Sequence, residues 1–101
     1  MSQLTVKNKR LKMSPGGLIT LPVSARRGLG MEQGKGAHVN IQVKQNVIVL
    51  TPTAQGARVS PGGALEVNAD AKRVLSAAAK RHYWLEVDDK SHSVTLHPFQ
   101  A

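Results

Sequence analysis

Ala37, Val39, Ile41 and Val43 alternate with His38, Asn40, Gln42 and Lys44. A period of two sends alternate side chains to opposite faces, so this segment reads as a strand with one buried face. The polar turn Lys44-Gln45-Asn46 and a second apolar run, Val47 to Leu50, complete a hairpin. Pro52 ends the unit because proline cannot donate to a ladder. The same order returns further on. Tyr83, Leu85 and Val87 occupy one face, Lys90-Ser91-His92 is the turn, Ser93 to Leu96 is the return strand, and Pro98 closes it.

Upstream of each hairpin lies a shorter pattern. Ser14-Pro15-Gly16-Gly17 and Ser60-Pro61-Gly62-Gly63 are turn chemistry, proline presetting φ and glycine supplying positive φ. Short strands follow at Leu18 to Leu21 and at Ala64 to Val67. The first leads into a helix over Val23 to Leu29, entered through Pro22 and limited by Gly28 and Gly30. The second leads into a helix with Asn68 as its N-cap and Asp70 in its first turn, long enough in alanine-rich sequence to reach Ala79. An opening strand, Leu4 to Met13, precedes the first unit, and only a stub, Ala57 to Val59, precedes the second. Within the first, the parity of apolar residues changes between Val6 and Leu11, which predicts a bulge near Asn8.

The two units are copies. At an offset of 46 residues, and without a gap, the Ser-Pro-Gly-Gly turns coincide. So do Ala25 with Ala71, Arg27 with Arg73, Leu29 with Leu75, Lys44 with Lys90, Leu50 with Leu96 and Pro52 with Pro98. About ten identities over roughly 39 positions mark a degenerate duplication. Repeat one spans 4–52, the linker 53–56 and repeat two 57–98. A unit of roughly 45 residues buries too little surface to stand alone, so both copies are expected to share one pseudo-symmetric domain over 1–101.

Composition narrows the function. With 101 residues, 41% hydrophobic, the chain supports one folded domain. It has no cysteine, which removes disulfides, thiolate metal sites and cysteine nucleophiles and fits a reducing cytoplasm. No apolar run at the start is long enough for a signal peptide or a membrane span, so a cytoplasmic protein without membrane partners is expected. The net charge of +8 favours a polyanionic partner. That charge is uneven. Lys7, Lys9, Arg10, Lys12, Arg26 and Arg27 precede the first acid, Glu32, and the other five acids all follow Pro52.

At Gly17-Leu18-Ile19-Thr20-Leu21-Pro22, Arg26-Arg27, Leu29-Gly30-Met31 and Gln33-Gly34, continuing through Val47 to Pro52, the chain resembles the AbrB/MazE/SpoVT family. The resemblance covers Leu4 to Pro52 and extends through the repeat to Arg58 to Pro98. It implies a mainly β, swapped-hairpin barrel with short helices, here formed as an intramolecular pseudo-dimer of the two repeats. It also implies a DNA-binding transcriptional regulator, with contacts from the basic opening strand, the following loop and the helix arginines. Two positions depart from the family pattern. The arginine expected after the motif glycine is Leu18 in one copy and Ala64 in the other, and the second copy has Asn68 for the motif proline with Glu66 beside it. DNA binding is therefore expected mainly from repeat one.

The candidate contacts to double-stranded DNA are Lys7, Lys9, Arg10, Lys12, Arg26 and Arg27, with weaker ones from Lys72 and Arg73. Burial of Leu4, Val6, Leu11 and Met13 turns the strand cations outward. Ala25 and Leu29, four apart, face the core and turn both helix arginines to solvent. Guanidinium forks suit phosphate oxygens and guanine edges, whereas lysine supplies charge. His38, His82, His92 and His97 lack metal-ligand spacing, and Asp88-Asp89 lack a partnered nucleophile, so neither a metal, a cofactor nor an enzymatic reaction is expected. Trp84, on the polar face of its strand, either packs on the barrel or marks a partner patch. Two other functions fit the same residues: an antitoxin that represses its own operon and binds a toxin, and a protein-interaction module that has lost DNA recognition. The unit acts as a monomeric pseudo-dimer or as a homodimer of it.

Overall fold

Eight antiparallel strands form one sheet in the order β1-β7-β8-β4-β3-β5-β6-β2, curled into a nearly closed barrel. The computed structural model describes the backbone of residues 4–88 and 90–99, and side chains from residue 11 onward except Ala79. Repeat one supplies β1 (Leu4–Lys12), β2 (Leu18–Thr20), α1 (Val23–Gly28), β3 (Ala37–Lys44) and β4 (Val47–Pro52). Repeat two supplies β5 (Ala57–Val59), β6 (Ala64–Glu66), α2 (Ala69–Ser76), a tight turn at Ala79–Arg81, β7 (His82–Asp88) and β8 (Ser93–Pro98). Every predicted strand is present, and α1 ends one residue before its expected limit.

The opening strand of each repeat pairs with the hairpin of the other. β1 lies on β7, and β5 lies on β3. Two further ladders join like to like: β2 to β6, with Ile19 opposite Leu65, and β4 to β8, with Val49 opposite Thr95. Each of those central pairs joins residues 46 apart, so both ladders read the same from either repeat. Hydrogen bonds outside the ladders repeat the relation: Leu21 N–H donates to Gly63 O at 2.8 Å and Val67 N–H to Gly17 O at 2.9 Å.

The core is correspondingly single. Ile19, Leu21, Ile48 and Leu50 from the first repeat interleave with Leu65, Leu75, Leu85 and Leu96 from the second, all at most 1% exposed. The Cα radius of gyration, 12.3 Å, matches one compact body of about 100 residues, for which about 13 Å is usual.

Two local features depart from exact repetition. The β1–β7 register shifts between Lys7 and Leu11, which places the bulge where the parity change predicted it. The second helix stops at Ser76 rather than reaching Ala79. Beyond its C-cap at Ala77, Lys80 and Arg81 adopt positive φ, at 53° and 59°, and β7 begins at His82. The hairpins then differ in their loops. Lys44 pairs with Val47 across Gln45-Asn46, both at positive φ, as a two-residue hairpin requires. Asp88 pairs with Ser93 across a loop two residues longer. Asp88 accepts from the backbone N–H of Lys90 at 3.1 Å and of Ser91 at 3.3 Å, and its bond with the Ser91 side chain is the main cause of a carboxyl pKa below its usual value.

Candidate nucleic-acid interface

Of the six principal candidate cations, Lys7, Lys9 and Arg10 lie on β1, with side chains outside the described residues. Lys12, at the end of β1, is exposed. Arg27 is also exposed and has no ion-pair partner among the described residues. Arg26 differs from expectation. It is half-buried, its Nε donating to Leu21 O at 3.1 Å and its Nη1 to Pro61 O at 2.9 Å. The cause is the repeat arrangement: α1 packs beside the Ser60–Gly63 turn of the other repeat, whose carbonyl lies within reach of a guanidinium. Arg26 therefore holds the two repeats together with part of its fork.

The crossing is reciprocal. A Cβ placed on Gly63 would lie 3.1 Å from Arg26 Nε, and one placed on Gly17 would lie 3.2 Å from Lys72 Cδ. Lys72, a secondary candidate from repeat two, thus lies over the turn of repeat one. Each Ser-Pro-Gly-Gly turn is crossed by a cation from the helix of the other repeat. Arg73, the second weak candidate, is exposed and sits 3.7 Å from Asp70. Such an exposed pair contributes little to stability, about 0–1 kcal/mol, yet it reduces the charge repeat two presents.

A cleft of about 200 Å³ runs between α1 and the second repeat's turn, lined by Val23, Arg26, Arg27, Met31, Glu32 and Pro61. Glu32 is paired with Lys35 at 2.9 Å, and neither Arg26 nor Arg27 has an ion-pair partner among the described residues. The outer face of the β2–β6 ribbon is different. Leu18 and Thr20 point outward beside Glu66, with Ile19 and Leu65 inward. This is the position where the family pattern carries an arginine, and the ribbon presents no cation.

Among the described residues no group of three His, Asp or Glu side chains is placed to hold a metal. His92 and Gly28 O are 3.3 Å apart, linking the second hairpin turn to α1. His97 Nε2 lies 3.0 Å from Glu86 Oε1, and its ring stacks on Trp84 with centroids 4.0 Å apart and planes 11° apart. Trp84 is half-buried by its cross-strand neighbour, so it packs on its own hairpin. Sequence reasoning missed Arg81, whose Nε donates to Met13 O at 3.0 Å. Its only signal was a cation just ahead of a strand. Among the described residues no helix is long and apolar enough to cross a membrane. Comparison with family models, with curated proteins and with solved structures finds no match.

Proposed function

We propose that this chain is a DNA-binding transcriptional regulator of the AbrB-like type, with the two repeats acting as an intramolecular swapped-hairpin pseudo-dimer. The reciprocal pairing of β1 with β7 and of β5 with β3 supports the swapped arrangement. One observation carries the binding reading: Lys12 and Arg27 stand exposed without acidic partners among the described residues, while Arg73 is paired with Asp70. Exposed cations supply the sequence-independent part of DNA affinity, and Arg27 can fork onto a phosphate or a guanine edge. With Arg26 partly committed to backbone carbonyls, the remaining contacts give log K against log salt a slope of about −4 to −5.

Titration of a random duplex across a salt series tests the proposal. Binding that weakens steeply with salt, with a slope lowered by about 1 in Arg27→Gln and unchanged in Arg73→Gln, supports it. Absence of binding at low salt, or salt-insensitive binding, removes it. The cation-free outer face of the β2–β6 ribbon, with Leu18 46% exposed, favours a second reading, a protein-interaction module that has lost DNA recognition. That reading gains if DNA binding fails while the chain remains folded.

A further inference from the structure

The barrel has two seams related by the repeat, and only one is closed. At one, β5 pairs with β6 through Val59 and Leu65, and Ser60 N–H donates to Ala64 O at 3.0 Å. At the other, Ser14 N–H donates to Leu18 O at 2.9 Å, but no ladder joins β1 to β2, and these strands form the two ends of the sheet. The opening is a groove of about 430 Å³, against about 260 Å³ at the closed seam.

The lining has two kinds of surface. Leu11, Pro15 and Leu18 make apolar walls, with the buried Met13 behind them, and Lys12 and Arg81 bring positive charge. Arg81 spends its Nε on Met13 O, and no bond to its terminal nitrogens occurs among the described residues. Tyr83, also lining the groove, is 1% exposed and makes no hydrogen bond with any described residue. No side-chain polar atom sealed from solvent lacks a partner, so the unbonded Tyr83 hydroxyl keeps contact with solvent. Burial pushes the phenol pKa above its usual value, which keeps the hydroxyl a donor. A hydroxyl in contact with solvent is served by water, and an acceptor in the groove can take that water's place. The closed seam offers no match: its groove carries Glu66 and no cation.

We propose that the open seam between β1 and β2 is a binding site for a small amphipathic carboxylate. Its apolar body lies against Leu11, Pro15 and Leu18, one carboxylate oxygen accepts from the Tyr83 hydroxyl, and Lys12 and Arg81 supply the countercharge. Lys12 is shared with the DNA-binding reading, but carboxylate binding is read without DNA and stands or falls separately.

The test is an amide-resolved NMR titration of the full chain with benzoate, octanoate and indole-3-acetate, each beside its neutral amide. At least one acid is expected to saturate, with shifts centred on Leu11, Lys12, Thr20, Arg81 and Tyr83. Its amide should bind about tenfold more weakly, and Tyr83→Phe should weaken the acid about tenfold, the scale of one charge-assisted hydrogen bond. Lys12→Gln, at an exposed position, should weaken it severalfold with the fold intact. The proposal is overturned if no acid saturates in the millimolar range, if the shifts map elsewhere, or if acid and amide bind alike. If Tyr83→Phe fails to fold, Lys12→Gln and the acid–amide contrast decide, and equal affinity in either overturns it.

Discussion

The two hairpins differ by a slip that their sequences conceal. In repeat one β3 and β4 are joined by two residues, whereas in repeat two β7 begins early and the turn before β8 is two residues longer. Partners in space are therefore Val39 and Tyr83, both facing Ala57 or Leu11 of the other repeat's opening strand. Lys44 and Lys90, identical at the 46-residue offset, are not equivalent: one ends a strand and the other sits in a turn. The lesson is one of parity. Side chains alternate with a period of two, so a slip of two keeps Tyr83, Leu85 and Val87 buried, while a slip of one would have turned all three to solvent.

If the halves form one core, equivalent deletions in each should cost alike. Leu50→Ala and Leu96→Ala, both at fully buried positions, are expected to lose about 2–5 kcal/mol each and to leave a single urea transition. Two transitions, or a loss confined to one repeat, would break the comparison. The glycine turns should separate the halves. Gly63 has φ +92° and its added Cβ would sit 2.4 Å from Leu21 O, so Gly63→Ala should cost about 2–4 kcal/mol. Gly17 has φ +88° but meets only the flexible Lys72 stem, so Gly17→Ala should cost about 1–2 kcal/mol. Equal losses in thermal melts would mean that the two turns are equally crowded.

The helix cations give a smaller contrast. Arg26→Ala removes two bonds to backbone carbonyls and should cost about 1–2 kcal/mol, while Lys72→Ala should stay within about 0.5 kcal/mol. A loss from Arg26→Ala no larger than that from Lys72→Ala would contradict its role between the repeats. The caps come last. The Asn68 side chain accepts from Ala71 N–H at 2.9 Å, whereas Pro22 makes no side-chain cap bond. Asn68→Ala should lower stability by about 1 kcal/mol, measured by chemical denaturation.

Alternation from Ala37 to Val43, the Ser-Pro-Gly-Gly turns, the Asn68 cap and the break in parity near Asn8 were all legible because each rests on neighbours in the chain. The same local rules located the candidate cations. They did not place Arg26, whose acceptor on Pro61 is 35 residues away, or Arg81, whose acceptor on Met13 is 68 away. Nor could they foresee the end of α2 at Ser76 or the left-handed Lys80 and Arg81 beyond it, since alanine-rich sequence favours continuing the helix.

By itself the sequence determined which residues face inward, where the chain turns, that it is duplicated and that its first half is the more basic. Tertiary structure alone decided which strand pairs with which hairpin, which arginine is tied to the other repeat, and which seam stays open. The reason is range: periodicity and turn preference act over a few residues, while strand partners and hydrogen-bond acceptors come from segments that meet only when the barrel closes.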